Sequence, residues 1–577
     1  MVPEPAARGD DGGVTTYAVE AGRRAWLALP RVRTWLEEAR PATILVPAIV
    51  IQWITTLALA LTVRHNGWLY YQGGDQLWHW ISAWLLAHGE LPATRVGHGW
   101  PAILAPLTTF GGPTLVPGLP GVVLLDVLVL GPIALLCIYG IAKQIGGAVF
   151  GYWATLLWLA VPFIGIKYTD HFYHQRYTEL TLPQAFGLTA MSDFPSMVAV
   201  LVCVYFAFRI MKRPDTIDAL ACGLAGGTAF AIKPSNSVFL AGIILGLAYR
   251  RRLAGAAYVL AGLTPALVTL ALWKYRGLGN LPLLQSEGAV RLASGAHAQL
   301  VAFNPLHKYV QFDWHHLDLQ LQSIKEHFWS VRVIEWLVIG GLIGLARRSW
   351  TALLVVGGWF AAFVVTKGTY QYASIDDASI FRIMMPSYPA FVLMIASLVF
   401  LVPRRRHPRM EPVAQPTPPG NARRRVMLLG AAGAFFALYP FVLVAAASPL
   451  HGPEPRAYVS VGLLRSIDPS LRLLTKVEGR RVQLTWKNAQ PAGTGVFYRI
   501  WRSNAPDGGA TCNSVPNGAD DCELTMQDLG ARRSGRFVDT PGHGRFTYRL
   551  GLAANWLDSP LYGDVYSLGP PVVVRVP

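Results

Sequence analysis

Long apolar runs separated by short polar connections limit what this chain can fold into more than any other feature. The first run, from about residue 41 to 63, is long enough to cross a bilayer, which takes roughly 20 residues. Further runs lie at roughly 121–142, 146–166, 193–211, 217–233, 236–250, 254–275, 331–346, 349–366, 384–402 and 426–447. Only 14% of the residues are charged and 53% are hydrophobic. The sequence therefore predicts an α-helical polytopic membrane protein with about eleven transmembrane helices.

Short basic clusters between these runs indicate which helix ends face the cytoplasm. A net charge of +17 would suit nucleic-acid binding, but the basic residues are not spread over one soluble surface. They include Arg23, Arg24, Arg31, Arg33 and Arg40; Lys212 and Arg213; Arg250, Arg251 and Arg252; Arg347 and Arg348; Arg404, Arg405 and Arg406; and Arg423, Arg424 and Arg425. Under the positive-inside rule, this pattern predicts a multi-pass protein of the plasma (inner) membrane without a nucleic-acid partner.

The predicted topology divides the chain into three parts. Residues 1–41 form a cytoplasmic N-terminal segment, 42–447 form the transmembrane domain and 453–577 form a separate domain. No small-residue cleavage site follows the first run, so we expect a retained signal anchor. An odd number of spans puts the C-terminal domain and the longer loops outside the cytoplasm, and we expect the functional face there.

The C-terminal part alternates polar and apolar residues between turns, which predicts an antiparallel β-sandwich. The alternation is clearest at 481–486, 496–502, 535–539, 545–550 and 572–576. Its segments Leu484-Thr485-Trp486, Tyr498-Arg499-Ile500-Trp501-Arg502-Ser503 and Tyr548-Arg549-Leu550 resemble a fibronectin type III domain. That resemblance implies a domain that binds or spaces other molecules rather than one that catalyses.

The five cysteines fall into two groups. Cys137, Cys203 and Cys222 lie inside apolar runs, where cysteine behaves as a small hydrophobic residue. Cys512 and Cys522 lie close together in the polar C-terminal part. They suit a loop-closing disulfide outside the cytoplasm, with two free thiols as the alternative.

An acidic residue opens the first predicted outer loop, in the segment Tyr70-Tyr71-Gln72-Gly73-Gly74-Asp75-Gln76. Ionisable groups at a membrane boundary are costly and tend to be functional, so Asp75 is a candidate catalytic base. The alternative is that Asp75 caps a helix beginning at Gln76. Helical spacing of apolar residues from Leu77 to Leu86 predicts an amphipathic helix on the membrane surface, with its tryptophans in the interface.

Later in the same loop lies Arg95-Val96-Gly97-His98-Gly99-Trp100-Pro101. His98 is a candidate for contacting an anionic group, although a single loop histidine often has a structural role. Trp100, together with Tyr71 in the preceding segment, is a candidate for substrate binding, because aromatic rings stack on sugars.

A second carboxylate lies at the predicted outer end of another span, in Ser192-Asp193-Phe194-Pro195. Asp193 has an ordinary explanation as a helix N-cap. Because Asp193 shares the predicted face with Asp75, we retain it as a second candidate catalytic residue.

Two basic residues, Lys233 and Arg382, also lie at predicted outer ends of spans. Lys233 precedes Pro234 in Ala231-Ile232-Lys233-Pro234-Ser235-Asn236-Ser237, where the positive-inside rule disfavours lysine and the break exposes backbone groups. Arg382 begins a span containing Pro386 and Pro389, and guanidinium groups bind phosphate through two hydrogen bonds. We expect both to bind phosphate, with snorkelling as the alternative for the lysine. The alternative for the arginine is pairing with Asp376 or Asp377.

Histidine-rich segments in two outer loops add further candidates for substrate binding, namely His171, His174 and His315. Their spacing does not specify a metal, and stacking of sugars on the neighbouring aromatics explains them equally well. No cofactor is certain, and a divalent cation remains open. No glycine-rich phosphate loop or nucleotide motif occurs in a cytoplasmic segment, which favours a lipid-linked donor over a cytosolic nucleotide.

Over residues 40 to 400, the order of these motifs resembles the GT-C superfamily of polytopic glycosyltransferases. Its members include protein O-mannosyltransferases, lipid A aminoarabinose transferases and mycobacterial arabinofuranosyltransferases. The resemblance depends on Gly74-Asp75-Gln76 with the helix after it, the Trp100-Pro101 pair, Ser192-Asp193, Phe230-Ala231-Ile232 before Lys233-Pro234, and Arg382 with Pro386 and Pro389. Two departures are Gln76, where many relatives carry a second acid, and Gly97 to Pro101, where some carry Glu-Lys-Pro.

The resemblance implies an inverting transfer of a sugar from a polyprenyl-phosphate donor to an acceptor hydroxyl. In that reaction Asp75 would deprotonate the acceptor, and Lys233 and Arg382, with His98, would stabilise the lipid-phosphate leaving group. The acceptor could be a glycan, a lipid or a protein.

Two rival classes remain open. A transporter or lipid-linked-glycan flippase predicts charged residues near the bilayer midplane and a repeat relating two halves. The sequence instead suggests acids and cations at one face. A non-enzymatic envelope scaffold would use the sandwich for adhesion, but leaves the long outer loops unexplained.

Overall fold

The computed structural model describes most of the transmembrane part and most strands of the C-terminal part. The described residues are 34–62, 75–92, 96–112, 115–167, 183–278, 288–289, 302–303, 313–327, 331–370, 379–402, 419–449, 458–459, 469–487, 496–504, 510–514, 520–524, 526–532, 535–554 and 565–577. Within them, 7 helices are long and apolar enough to cross a membrane, and three shorter helices are apolar as well. The predicted helical architecture is confirmed, whereas the count of eleven spans remains a prediction.

The helices follow one another along the described part of the chain. They are α1 (Pro41–Thr62), α2 (Asp75–Ala87), α3 (Gly99–Gly111), α4 (Leu115–Leu124), α5 (Gly131–Gly146), α6 (Ala148–Lys167), α7 (Pro183–Phe186), α8 (Asp193–Lys212), α9 (Thr216–Ile232), α10 (Leu240–Tyr249) and α11 (Leu253–Leu278). After these come α12 (Trp314–His327), α13 (Val331–Arg348), α14 (Trp350–Ala352), α15 (Gly358–Gly368), α16 (Ser379–Met384), α17 (Tyr388–Ser397), α18 (Pro419–Gly433) and α19 (Tyr439–Ala446). Three π-helical turns, Leu125–Leu130, Leu353–Gly357 and Ala434–Leu438, join consecutive helices within longer runs.

The central helix of the bundle is α8, of whose span 78% is buried inside the protein. Its neighbour α9 packs closely against α11 through glycines. A Cβ added to Gly223 would lie 2.0 Å from the carbonyl oxygen of Val259, and one added to Gly262 would lie 2.5 Å from that of Leu220. Small residues allow such close approach of helix backbones, which is how helices associate in a membrane without a hydrophobic driving force.

The predicted cytoplasmic ends of the helices meet through basic side chains. Arg425 of α18 contacts Asp215, the N-cap of α9, at 3.0 Å and Asp218, in the first turn of α9, at 2.5 Å. Arg348, at the end of α13, donates to the carbonyl of Ile145 at the end of α5. The basic residues Arg348 and Arg425 therefore lie at one end of the bundle, and Asp193 begins α8 at the opposite end.

The first predicted outer loop is largely helical. Helices α2, α3 and α4 pack together around a core that includes Trp80, Trp100 and Leu119. Trp80 is fully buried and its indole N–H donates to the carbonyl of Gly112 at 3.0 Å. The predicted helix is therefore present, but at Trp80 its apolar face packs against protein, which differs from the expected position of that tryptophan in the membrane interface.

The end of α19 is held next to α2. Ser448–Pro449 (β4) pairs in parallel with Glu90–Leu91 (β1), which directly follows α2. Arg276 of α11 donates to the carbonyl oxygens of Ala445 and Ala447, at 2.8 Å and 2.6 Å. Because a helix leaves its last carbonyls without intrahelical partners, this guanidinium acts as a C-cap.

Two short strands, Gly288–Ala289 (β2) and Ala302–Phe303 (β3), form an isolated pair. The strands of the C-terminal part are β5 (Tyr458–Val459), β6 (Leu474–Glu478), β7 (Arg481–Thr485), β8 (Val496–Ser503), β9 (Ala510–Ser514), β10 (Asp520–Leu524), β11 (Met526–Arg532), β12 (Arg536–Asp539), β13 (Gly544–Ala554), β14 (Val565–Leu568) and β15 (Val572–Val576). One sheet has the order β14-β13-β8-β11-β5, with β15 also paired to β13, and a second has the order β12-β7-β6.

The two larger C-terminal sheets share one apolar core. It contains Leu484 of β7, Ile500 of β8 and Tyr548 of β13. Asp539 of β12 accepts hydrogen bonds from Arg502 and from the Tyr548 hydroxyl, both at 2.8 Å, which joins the sheets. The predicted all-strand domain is confirmed, and its identification as fibronectin type III remains a prediction.

The cysteines keep the predicted grouping. Cys137, Cys203 and Cys222 are free and buried. Cys512 and Cys522 lie opposite one another in the antiparallel pair β9–β10. The disulfide itself remains a prediction, because the two side chains lie outside what the structure describes.

Candidate functional site

Asp75 and Arg382 meet at the non-basic end of the bundle. Helix α2 begins at Asp75, one residue earlier than predicted, and the side chain is 38% exposed. Its Oδ2 accepts a short hydrogen bond from Nη2 of Arg382, on α16. The predicted alternative for Arg382, pairing with Asp376 or Asp377, lies outside the described residues. The structure instead brings together two residues that the sequence analysis had placed in different motifs.

Asp193 is the buried centre of the site. It is the first residue of α8 and has no exposed surface. Ser192 occupies the N-cap position, so the expected cap role of Asp193 is not the one observed. The Asp193 carboxylate receives a short hydrogen bond from Lys233, and its Oδ2 lies 3.3 Å from Nε of Arg382. One carboxylate thus faces both predicted phosphate-binding cations.

Lys233 owes its position to the break that Pro234 makes after α9. Lys233 is the C-cap of α9, with an extended backbone (φ −142, ψ 92), and a 3₁₀ turn, Pro234–Phe239, follows. Proline cannot continue the helix, and the residue before it avoids helical angles. The backbone N–H of Asn236 donates to the Lys233 carbonyl at 2.9 Å. The side-chain amide of Asn236 donates to the Ser196 hydroxyl of α8, also at 2.9 Å. This turn therefore fixes the lysine against the start of α8.

Gly97, His98 and Gly99 pack against the same turn. A Cβ at Gly97 would lie 2.2 Å from the Ala231 carbonyl oxygen and 2.6 Å from that of Ile232. At Gly99 it would lie 2.7 Å from the Ile232 nitrogen. Both glycines are needed for this close approach of two backbones, which brings the start of α3 to the residues before Lys233.

His98 lies buried in that contact, with 1% of its surface exposed. Burial, and to a smaller extent the charge of Lys274, lower the pKa of His98 to about 3, so the imidazole is neutral at physiological pH. Its Nδ1 has no hydrogen-bond partner among the described residues. His98 is therefore close to the predicted phosphate-binding region but carries no positive charge there.

Gln76, the residue that replaces a second acid, has a definite role in the structure. Its Oε1 accepts a hydrogen bond from the Ala190 backbone N–H at 2.7 Å. The carbonyl of the same alanine accepts from the indole N–H of Trp100 at 3.0 Å. Both side chains have no exposed surface. They tie α2 and α3 to the segment before Asp193, which places Trp100 in the wall of the site, and its predicted role in substrate binding remains a prediction.

His79 belongs to this cluster, and the sequence analysis missed it. It follows Asp75 by one helical turn, is 2% exposed and has an Nδ1 without a hydrogen-bond partner among the described residues. Burial lowers the pKa of His79 to about 4 against the opposing effect of the two carboxylates, so the ring is neutral. The spacing of four residues on one helix is the signal that could have identified it.

Lys367, at the end of α15, is a second residue that the sequence analysis missed. It is 8% exposed and interacts electrostatically with Lys233 and Asp193. A lysine at the predicted outer end of a span is the same signal that had singled out Lys233. Lys367 therefore lies beside the cluster of Asp75, Asp193, Lys233 and Arg382, in which two carboxylates face two cations.

The electrostatics keep Asp75 ionised. Burial opposes the charged form, but Arg382, His79 and Lys233 together outweigh it and lower the pKa of Asp75 below its usual 3.8. A carboxylate that is ionised at neutral pH and partly exposed can accept a proton from a bound molecule. The surrounding cations can hold an anion beside it.

Of the other predicted residues that the structure describes, His315 does not belong to this cluster. His315 is exposed near the start of α12. Tyr71, His171 and His174 lie outside the described residues. In the part of the chain that the structure describes, no group of three or more His, Cys, Asp or Glu side chains is arranged to hold a metal ion.

No family model and no curated protein matches the chain. Among solved structures, it is similar to ArnT from Cupriavidus metallidurans bound to undecaprenyl phosphate, with 16% identity and a TM-score of 0.38 over 70% of this chain and 76% of that one. It is also similar to the archaeal oligosaccharyltransferase AglB from Archaeoglobus fulgidus in complex with an inhibitory peptide and a dolichol-phosphate. That match has 13% identity and a TM-score of 0.37 over 72% of this chain and 56% of the other. At these TM-scores, neither likeness carries an argument about function.

Proposed function

We propose that this protein is a membrane glycosyltransferase that moves a sugar from a polyprenyl-phosphate donor to an acceptor hydroxyl, with inversion, on the predicted outer face. The observation that supports it most is the linked set of Asp75, Arg382, Asp193 and Lys233 at one end of the helical bundle. It combines a partly exposed base with cations that suit a phosphate, which are the two requirements of such a transfer.

In this proposal Asp75 is the general base. As the acceptor oxygen bonds to the anomeric carbon of the sugar, its proton passes to the Asp75 carboxylate. The bond from that carbon to the phosphate oxygen breaks, and its electron pair stays on the lipid phosphate. Attack from the face opposite the phosphate inverts the anomeric configuration. Asp75 suits this role because it is ionised and 38% exposed, whereas Asp193 has no exposed surface.

The cations would stabilise the leaving group. A polyprenyl-phosphate sugar is a phosphodiester with one negative charge, and the released lipid phosphate gains a second. Lys233 and Arg382 would interact more strongly with the product-like transition state than with the donor. Interactions that strengthen as charge develops are the ones that accelerate a reaction.

Asp193 would position these cations rather than accept the proton. It contacts both Lys233 and Arg382 from the buried side, so their charged groups are held in place before a donor arrives. Preorganised charges cost little reorganisation during the reaction. The prediction that Asp193 is itself catalytic therefore receives less support than the prediction for Asp75.

One observation favours the rival class, a transporter or flippase. The sequence analysis found the acids at one face, yet Asp126 is fully buried inside the span Gly118–Gly146. Intramembrane carboxylates often mark transport pathways. The proposal must therefore be tested by an experiment that separates transfer from transport.

The test uses the purified full chain with a panel of polyprenyl-phosphate sugars and glycan, lipid or protein acceptors. Transfer predicts release of lipid phosphate with one donor, and a product whose anomeric configuration is opposite to that of the donor. The same donors are then reconstituted in proteoliposomes. Movement of intact donor between leaflets without release of lipid phosphate would support the flippase and contradict the transferase.

A further inference from the structure

Asp126 is a carboxylate buried in the membrane part without a visible partner. It lies on the π-helical turn Leu125–Leu130, inside the span Gly118–Gly146, and has no exposed surface. Neither of its carboxylate oxygens has a hydrogen-bond partner among the described residues. Because π-helical turns inside helices occur frequently at functional sites, both features point to a bound species.

The carboxylate borders a small polar cavity. The cavity has a volume of about 10 Å³, which is room for one atom or molecule the size of water. Its lining comes from α1, the π turn, α5, α6, the segment around α7 and the start of α8, and its polar side chains include Gln52, Thr56, Asp126, Trp158 and Gln184. The position is distinct from the cluster around Asp75 and Arg382, none of whose residues lines it.

The polar atoms left for an occupant of this cavity are oxygens. Gln184 is 5% exposed and its Nε2 donates to the Trp158 carbonyl at 3.4 Å, which leaves its Oε1 without a partner among the described residues. On the opposite wall, Gln52 Oε1 accepts from the indole N–H of Trp158 at 3.2 Å. The cavity thus has three unpaired acceptor oxygens, two from Asp126 and one from Gln184.

We propose that this cavity binds one monovalent metal cation, Na⁺ by its size, with Asp126 and Gln184 as ligands. Gln52 and Thr56 would add further oxygens. Carboxylate, amide and hydroxyl oxygens are the ligands that hard cations prefer. Among the described residues no Lys, Arg or His lines the cavity, and an ionised carboxylate without a counter-charge is costly inside a membrane. One positive charge neutralises one carboxylate, whereas a divalent cation would leave a net positive charge buried.

Cation binding here would brace the wall of the Asp75 cluster. Gln184 belongs to α7, and a few residues later Ala190 holds both Gln76 and Trp100. A cation that joins α7 to α1 and to the π turn would fix the start of the segment that leads to Asp193. The inference does not depend on the proposed transfer, because it predicts an effect on stability.

The experiment measures the melting temperature of the purified full chain in detergent, in NaCl or in choline chloride at constant ionic strength. A ligand that binds only the folded state stabilises it by mass action. We expect the melting temperature of the wild type to rise by several degrees as Na⁺ replaces choline between about 1 and 100 mM, and to rise less with K⁺. The variant Asp126→Asn should show no such rise.

A matched control is Asp218→Asn, which changes another buried carboxylate that is paired with Arg209 and Arg425 at the basic end. It should keep the sodium-dependent rise. If Asp126→Asn does not fold, Gly131→Ala replaces it, because the added Cβ would lie 2.6 Å from Gln52 Nε2 and would disturb the cavity from another side. A wild type that melts at the same temperature in sodium and choline would overturn the proposal in favour of a protonated Asp126 with a bound water. A full sodium effect in the cavity variants would overturn it as well.

Discussion

Arg382 donates a hydrogen bond to Asp75 across 307 residues of sequence. The same guanidinium lies 3.3 Å from Asp193, so one side chain joins the starts of α2 and α8. Arg382 and Lys233 together neutralise the two carboxylates before any substrate binds. A phosphate that binds Arg382 would compete with Asp75 for its N–H donors, which would free the carboxylate for an acceptor. Donor binding and activation of the base would then be coupled through this arginine.

Replacing Asp75 tests the base directly. Asp75→Asn keeps the shape and the hydrogen-bond acceptor but removes the charge, so we expect transfer to fall by about 10²- to 10⁴-fold. The protein should still fold and insert, because Arg382 keeps Asp193 as a partner. Release of lipid phosphate by purified protein is the measurement. Asp318→Asn, on an exposed part of α12, is the matched control and should behave as the wild type. Near-normal transfer by Asp75→Asn would end the assignment.

The pH dependence of transfer should change when Arg382 is replaced. Burial favours the protonated form of Asp75, but Arg382, with His79 and Lys233, lowers the pKa below 3.8, so Asp75 should impose no acid limb between pH 5 and 8. In Arg382→Gln the largest lowering influence is gone and burial remains. The pKa of Asp75 should therefore rise. As the pH is lowered, transfer by this variant should begin to decline at a higher pH than transfer by the wild type. The profile of kcat against pH measures this, with Arg347→Gln at the other end of the bundle as the control. An unchanged profile would show that Arg382 does not control the base.

Lys233→Ala should weaken donor binding. The loss of one charge-assisted hydrogen bond to the phosphate should raise the Kd for a polyprenyl-phosphate sugar by about 10- to 100-fold. Stability should also fall, because Asp193 is fully buried and would lose its hydrogen bond from Lys233, while its contact with Arg382 remains. Binding measured by titration calorimetry on folded protein separates the two effects. Lys476→Ala removes a lysine that is exposed on β6 and should leave donor binding unchanged. Unchanged affinity in Lys233→Ala would exclude Lys233 from the site.

The sequence contained enough information to predict the members of the central cluster but not their contacts. Asp75, Asp193, Lys233 and Arg382 are charged residues at the ends of apolar runs, and the cost of charge at a membrane makes such positions informative. Which cation faces which acid depends on how the helices pack. That packing depends in turn on glycines such as Gly97 and Gly223, whose approaching partners are far away in the sequence.

The sequence analysis missed two polar residues that lie inside apolar segments. His79 lies within an apolar helix and Asp126 within an apolar run. The apolar period of each segment did not single them out, although the spacing of four residues from Asp75 could have identified His79. Trp80 and Trp100 were predicted to face the membrane or a substrate, because tryptophan is common at such surfaces. In the structure both are fully buried, and their indole N–H groups donate to backbone carbonyls. The helical periodicity predicted α2 correctly, but it could not show whether membrane or protein would cover the apolar face of that helix.

Acidification should destabilise the protein through its two buried histidines. The pKa of His79 is about 4 in the folded chain, against a usual 6.5, because burial disfavours the charged ring. The unfolded state therefore takes up the proton first. Stability is complete above about pH 6.5 and falls as the pH drops towards 4, by about 2 kcal/mol at pH 5 for each such histidine. His98, with a pKa of about 3, adds a similar amount. Asp75 does not make the stability depend on pH between about pH 5 and 7, because its pKa in the folded chain lies below its usual 3.8.

The measurement for this prediction is the melting temperature in detergent at pH 7 and pH 5. His79→Gln should lose less stability than the wild type on acidification, and His98→Gln should behave likewise. His543→Gln, in the C-terminal domain, is the control and should follow the wild type. Equal acid sensitivity in all four proteins would show that the buried histidines are not the groups that titrate.

Gly97→Ala should disrupt the site without changing any charged residue. The added Cβ would lie 2.2 Å from the Ala231 carbonyl oxygen, a distance that real Cβ atoms do not adopt, and the opposing atoms are backbone that cannot rotate away. The start of α3 must therefore move away from the turn that holds Lys233. We expect a loss of about 1 to 3 kcal/mol in stability and a weaker binding of donor. Gly121→Ala is the matched control, because it adds the same methyl group to α4, where the nearest atom is 4.0 Å away. A melting temperature and a donor Kd that match the wild type in Gly97→Ala would show that this backbone contact does not position Lys233.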